Sequence, residues 1–108
     1  MKLFTKEIID RLTANPLCSH EYDEDPPVIC KIFNPYGLGT WYITEGSLQP
    51  DGDWVLFGLC CITEMELGYV LLSQLEEITF YGCLTLERDL YFSGTLSKAR
   101  EEMAKVYN

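Results

Sequence analysis

"GTWYITEGSLQPDGDWVLFGLCCITEMELGY", residues 39–69, decides how this chain folds. Its first segment, "GTWYITEG", alternates two sets of side chains. In a strand, Trp41, Ile43 and Glu45 share one face, and Thr40, Tyr42 and Thr44 share the other. "SLQPDGD" then reads as a turn, because Pro50 fixes φ and Asp51-Gly52 tolerates positive φ. "WVLFGLCCI" is apolar on both faces, the pattern of a central strand. With connections this short the neighbours must be antiparallel, forming a meander instead of a βαβ unit. The same stretch sets Glu45, Glu64 and Glu66 among aromatics, either as a site or as solvated strand ends.

The flanks extend that sheet and cover it. "VICKIFN" is β-branched and apolar, and "NPYGLG" supplies a turn into residue 40. "ELGYVLLSQLEEITFYG" begins as a strand and switches at Ser73, which forms a capping box with Glu76 and opens a short helix burying Leu75 and Ile78. "LTLERDLYF" reads as a last strand, with Glu87 and Asp89 on one face and Arg88 on the other. "FTKEIIDRLTANP" places Phe4, Ile8 and Leu12 at helical spacing behind Thr5 as N-cap, and Pro16 stops the pattern. "LSKAREEMAKVY" spaces Leu96, Ala99, Met103 and Val106 at helical intervals, with Lys105 suiting the last turn. The expectation is one α+β domain over residues 1–108. Its mostly antiparallel sheet has four or five strands, packed with N-terminal, middle and C-terminal helices.

Composition narrows the partners. A chain of 108 residues that is 47% hydrophobic has room and material for one core, which excludes a disordered acidic tail. Eight basic against 17 acidic residues give a net charge of −9, a field that repels phosphate backbones and attracts basic protein surfaces. Residues 32–87 contain no Lys or Arg, so the aromatic strands do not form a base-stacking platform. Direct nucleic-acid binding is therefore not expected without a metal. Five cysteines, with no secretory pattern in "MKLFTKEIIDRL", predict reduced thiols and a cytoplasmic protein. No apolar run approaches the roughly 18 residues of a membrane span.

Motif chemistry is sparse. Gly37-Leu38-Gly39 lacks the P-loop pattern, and no serine sits in a G-x-S-x-G context. Cys18, His20 and Cys30 lack zinc spacing, and adjacent Cys60 and Cys61 point to opposite faces of a strand. His20, the only histidine, lies in the acidic loop, a poor place for a rigid base. The carboxylates best placed to converge, at or near strand ends, are Glu45, Glu64, Glu66, Glu87 and Asp89. Together they would suit acid–base work, and Glu45, Glu66 and Glu87 would suit Mg²⁺ or Mn²⁺. For partner binding the candidates are Asp23, Glu24 and Asp25 of "EYDEDPP" with Tyr36, Tyr42 and Tyr69.

Several segments in order, "MKLFTKEI", "FNPYGLGTWYITEG", "FGL", "ELGYVLLSQLEE" and "LERDLYF", resemble a family of small proteins carried by phages, plasmids and other mobile elements and catalogued as a domain of unknown function. The resemblance covers residues 1–93 and implies a mobile-element accessory protein. Some relatives carry a single-stranded DNA endonuclease label. Its segments centre on residues that include Glu45, Glu66, Glu87, Arg88 and Asp89, predicting one polar cluster in which Arg88 pairs with a carboxylate. The leading expectation is a non-enzymatic protein without cofactor. It would bind a basic partner through its acidic surface, for instance a host defence or nucleic-acid-processing factor. The alternative is a metal-dependent nuclease or phosphodiesterase at Glu45, Glu66, Glu87 and Asp89.

Overall fold

The computed structural model describes residues 3–107. In chain order it contains α1 (Lys6–Thr13), β1 (Cys30–Phe33), β2 (Thr40–Leu48), β3 (Trp54–Cys61) and β4 (Met65–Leu71). These are followed by α2 (Leu72–Glu77), β5 (Thr79–Phe80), β6 (Leu84–Thr85), β7 (Glu87–Arg88) and α3 (Leu96–Tyr107). Five strands form one sheet in the order β4-β3-β2-β1-β7, every neighbouring pair antiparallel, and β5 and β6 make a small separate ribbon. The architecture is α+β. Among the described residues, no helix is long and apolar enough to cross a membrane.

Alternation gives each sheet face its own core. Trp41 and Ile43 of β2, Ile32 of β1 and Trp54 and Leu56 of β3 pack with Ile8 and Leu12 of α1 and Leu75 of α2. Tyr42, Leu59 and Cys61 face the other way and pack with Leu96, Ala99 and Met103 of α3. Cys60 and Cys61 thus do serve opposite faces, as their adjacency in a strand requires. Side chains such as Leu12, Ile32, Ile43 and Leu56 are fully removed from water, each worth about 2 kcal/mol of transfer free energy.

Thr5 caps α1, its Oγ1 accepting the Ile8 amide at 3.3 Å. The Asp51-Gly52 turn forms with Gly52 at φ +90°. Three local readings need correction. Ser73 lies inside α2 and is not its N-cap. That residue is Leu71, whose amide is bonded by Gln74 Oε1 at 3.0 Å. Asp53, in the turn before β3, supplies the cap instead, its carboxylate accepting the Ser73 amide at 3.1 Å and the Ser73 hydroxyl at 2.6 Å. "LTLERDLYF" is not one strand but two two-residue strands flanking buried Leu86. It ends where Asp89 Oδ1 accepts the amides of Tyr91 and Phe92 and turns the chain.

A bulge in β2, the third departure from the sequence reading, decides the site. Ile43 pairs with Gly58 and Glu45 with Phe57, so Thr44 is an extra residue and β2 carries a β-bulge there. Beyond the bulge the alternation is inverted. Glu45 therefore leaves the face of Trp41 and Ile43 and joins that of Tyr42 and Phe57. Gly58 sits under this irregularity. A Cβ there would fall on the Tyr42 carbonyl and lie 2.9 Å from the Ile43 Cα, so only glycine lets the two central backbones approach.

Candidate functional site

The bulge, the 18–26 loop, the middle of β3 and β4, and the start of α3 line a pocket of about 350 Å³. Its floor is apolar. Phe57 and Tyr69 are directly opposed across β3 and β4 with ring centroids 4.9 Å apart, and Leu67 and Leu96 extend them. Its walls are acidic, with Glu21, Asp23, Glu24, Asp25 and Glu45 in the lining and Arg100 the one permanently cationic side chain.

Each acidic residue has a distinct job. Glu45 is 6% exposed, and its oxygens accept the Cys18 amide at 2.9 Å and the His20 amide at 2.8 Å. The loop bends to offer those amides through Cys18, which adopts a left-handed φ of 69°. Further ties run from the Gly46 amide to the Asn15 carbonyl and from the Leu17 amide to Ser47 Oγ. His20 is fixed between Asn15 Oδ1 at 2.7 Å and Asp23 Oδ2 at 3.3 Å. Asp25 accepts the Thr95 hydroxyl and the Ser97 amide, each at 2.7 Å, and so caps α3 from outside the helix. The Thr95 hydrogen bond, then the Ser97 bonds, hold its carboxyl below the usual range. Glu21, Asp23 and Glu24 remain exposed at the rim.

Glu45 is thus a buried anchor for the pocket wall. Glu45→Ala is expected to cost about 2 kcal/mol, the worth of hydrogen bonds to a charged acceptor less rehydration of the freed amides. Urea denaturation checks the stability, and limited proteolysis should cut faster within residues 16–25.

The structure separates the remaining carboxylates. Glu66 pairs with Cys60 in the ladder and lies on the α1 face, opposite Glu45. Glu87 is exposed on β7, beside Phe33 and at the far end of β2 from Glu45. Among the described residues, no group of three or more His, Cys, Asp or Glu side chains is placed to hold a metal ion. The cause is the bulge together with strand order, so the donor set proposed for Mg²⁺ or Mn²⁺ does not form.

Asp89 belongs to a different cluster. Lys31 Nζ lies 3.1 Å from Asp89 Oδ2 and 3.0 Å from Glu102 Oε2, and Glu102 also accepts the Tyr42 hydroxyl. Burial pulls the Asp89 pKa upward, but the Tyr91 amide and Lys31 outweigh it and hold the carboxyl below its ordinary value. Arg88 makes no ion pair among the described residues; the cation of the cluster is Lys31. Tyr42 is fully buried, which removes it from any docking surface, and burial with the Glu102 bond pushes its phenol well up. Tyr36 packs at a tilt against Phe80, ring centroids 5.3 Å apart, away from the acidic pocket. Of the six partner-binding candidates, Asp23, Glu24, Asp25 and Tyr69 meet in one pocket. Sequence reasoning missed Lys31 and Glu102. The signal was there in Lys31, a lone charge inside the apolar run "VICKIF".

Two of the thiols are held inert in the cores, while Cys18 is exposed at the pocket. Burial pushes Cys30 up to about 12 and Cys61 up to about 11, so both stay protonated at neutral pH.

The family described as "Protein of unknown function (DUF2958)" matches residues 3–103. The chain belongs to that family. The match runs through both cores and through every residue of the pocket, so the pocket is part of the DUF2958 domain itself. Comparison with curated proteins and comparison with solved structures each gave no match.

Proposed function

We propose that this DUF2958 protein works without a catalytic centre of its own, by holding a basic segment of another protein in the acidic pocket. One observation carries the reading: exposed carboxylates at Glu21, Asp23 and Glu24 rim a floor built on the Phe57–Tyr69 pair. A lysine or arginine has the matching form, an apolar stem for the floor and a cationic head for the rim or the ring faces. The net charge of −9 adds long-range attraction for such a partner. The resemblance of its segments to small proteins of phages and plasmids supports an accessory role in a mobile element, with a host defence or nucleic-acid-processing factor as the partner. Five free thiols support a reducing, cytoplasmic setting.

Calorimetric titration with an oligolysine peptide tests the reading. Binding should be saturable and weaken at least about tenfold between low salt and 0.5 M, where screening shortens to a few ångströms. The variant carrying Glu21→Gln and Glu24→Gln should lose most of it while keeping its thermal midpoint. Asp23, Asp25 and Glu45 are left intact because they hold the wall, Asp23 through His20 and the Asp25 amide. Equal binding by that variant would place any basic partner elsewhere.

A further inference from the structure

We infer that the partner binds as an added β-strand along the open edge of β4, feeding alternate side chains into the acidic pocket. This rests on the pocket reading above and specifies how the partner is held.

The sheet has two edges of very different character. β7 is two residues long, too short to template another strand. β4 is seven residues long, and its ladder with β3 runs through all seven pairs without a bulge. Among the described residues no strand pairs with its outer side. In an antiparallel ladder alternate residues direct both N–H and C=O away from the paired neighbour, so β4 presents such groups to water as far as Leu71, whose amide is taken by Gln74. Edges of this kind are normally blunted by proline, lysine, a bulge or a covering element. "MELGYVL" contains no proline and no lysine; its one charge is the exposed Glu66, which repels another acidic strand and favours a cationic one, and Leu67 and Tyr69 remain 48% and 65% exposed.

Charge selects the occupant. Leu67 and Tyr69, on one face of β4, are part of the pocket lining that carries Glu21, Asp23 and Glu24. A strand laid beside β4 sends every second side chain to that same face. Main-chain hydrogen bonds would supply affinity, and cationic residues at alternate positions would supply specificity, the usual division in strand addition. A second copy of this chain is the poorer occupant, because edge-to-edge pairing would juxtapose two chains of net charge −9 and their acidic rims.

The test uses uniformly ¹⁵N-labelled protein and four synthetic heptapeptides. One alternates Lys and Val, two are the same peptide N-methylated at odd or at even positions, and one alternates Thr and Val. Adding the Lys–Val peptide at ten times its Kd should slow exchange of alternate β4 amides about tenfold, the factor mass action supplies. At least one methylated peptide should lose binding, and the Thr–Val peptide should bind more weakly. Equal binding by both methylated peptides, or binding that depends on Glu21 and Glu24 but leaves β4 exchange unchanged, would overturn strand addition and leave the pocket reading standing. No binding of the Lys–Val peptide at low salt would overturn both. Concentration-dependent protection of β4 without peptide would assign the edge to self-association instead.

Discussion

Gly58→Ala abolishes folding, or at the least lowers stability by more than about 4 kcal/mol, on the expectation set by the bulge. Overpacking in a core usually costs about 1–3 kcal/mol, because side chains can rotate away. Here the added methyl meets backbone. It falls on the Tyr42 carbonyl, with the Tyr42 carbonyl carbon at 2.8 Å and the Ile43 Cα at 2.9 Å. β2 cannot retreat, since it lies between β1 and β3 and carries fully buried Tyr42 and Ile43 into opposite cores. Circular dichroism and urea denaturation of the purified variant measure the effect. The control is Gly68→Ala, one strand over in the same register, where a Cβ meets nothing within 4 Å. That variant should stay within about 1 kcal/mol of the parent. Comparable stability of the two variants would mean that the bulge does not press on Gly58.

Lys31→Met carries the second large effect, about 3 kcal/mol of destabilisation. Removing one partner of a buried ion pair costs about 3–5 kcal/mol, because the remaining charge is left uncompensated. The lower end applies because Asp89 and Glu102 keep 23% and 41% of their side-chain surface and can recover some hydration. Lys31 itself is 9% exposed, and its ammonium lies 5.4 Å from the Tyr42 ring centroid, so a cation–π contact is lost as well. Adding Glu102→Gln to Lys31→Met should restore part of the stability. The amide oxygen still accepts the Tyr42 hydroxyl but brings no charge. Urea midpoints of the two variants and of Glu102→Gln alone close the double-mutant cycle. A cycle with no coupling would show the cluster to be worth no more than a surface pair.

Much of the sheet was legible because alternation is a local property. Trp41 and Ile43 against Tyr42, and Cys60 against Cys61, sort onto the two faces that period two assigns them. The position of Glu45 was not legible, because one extra residue at Thr44 inverts everything after it and nothing in "WYITEG" marks the insertion. The caps divide in the same way. Thr5 caps its own helix and can be read from its neighbours. Asp53 and Asp25 cap α2 and α3 from distant loops, and no spacing rule reaches across 20 or 72 residues. Asp25 illustrates the consequence for function, since a residue that looks like free surface charge is committed to holding a helix. The Lys31 cluster joins residues 31, 42, 89 and 102 from three strands' surroundings and a helix, so only the folded chain shows it.

That cluster also bears on how the chain is made. Lys31 leaves the ribosome with the early strands, whereas its two anions come from residues 89 and 102, near the other end. Glu102 lies on α3, the helix that packs over the sheet face of Tyr42 on which Lys31 sits, and Asp89 lies in the turn leading to it. The segment that removes the ammonium from water is therefore the one that brings its counter-charges, so burial and neutralisation of Lys31 are a single step.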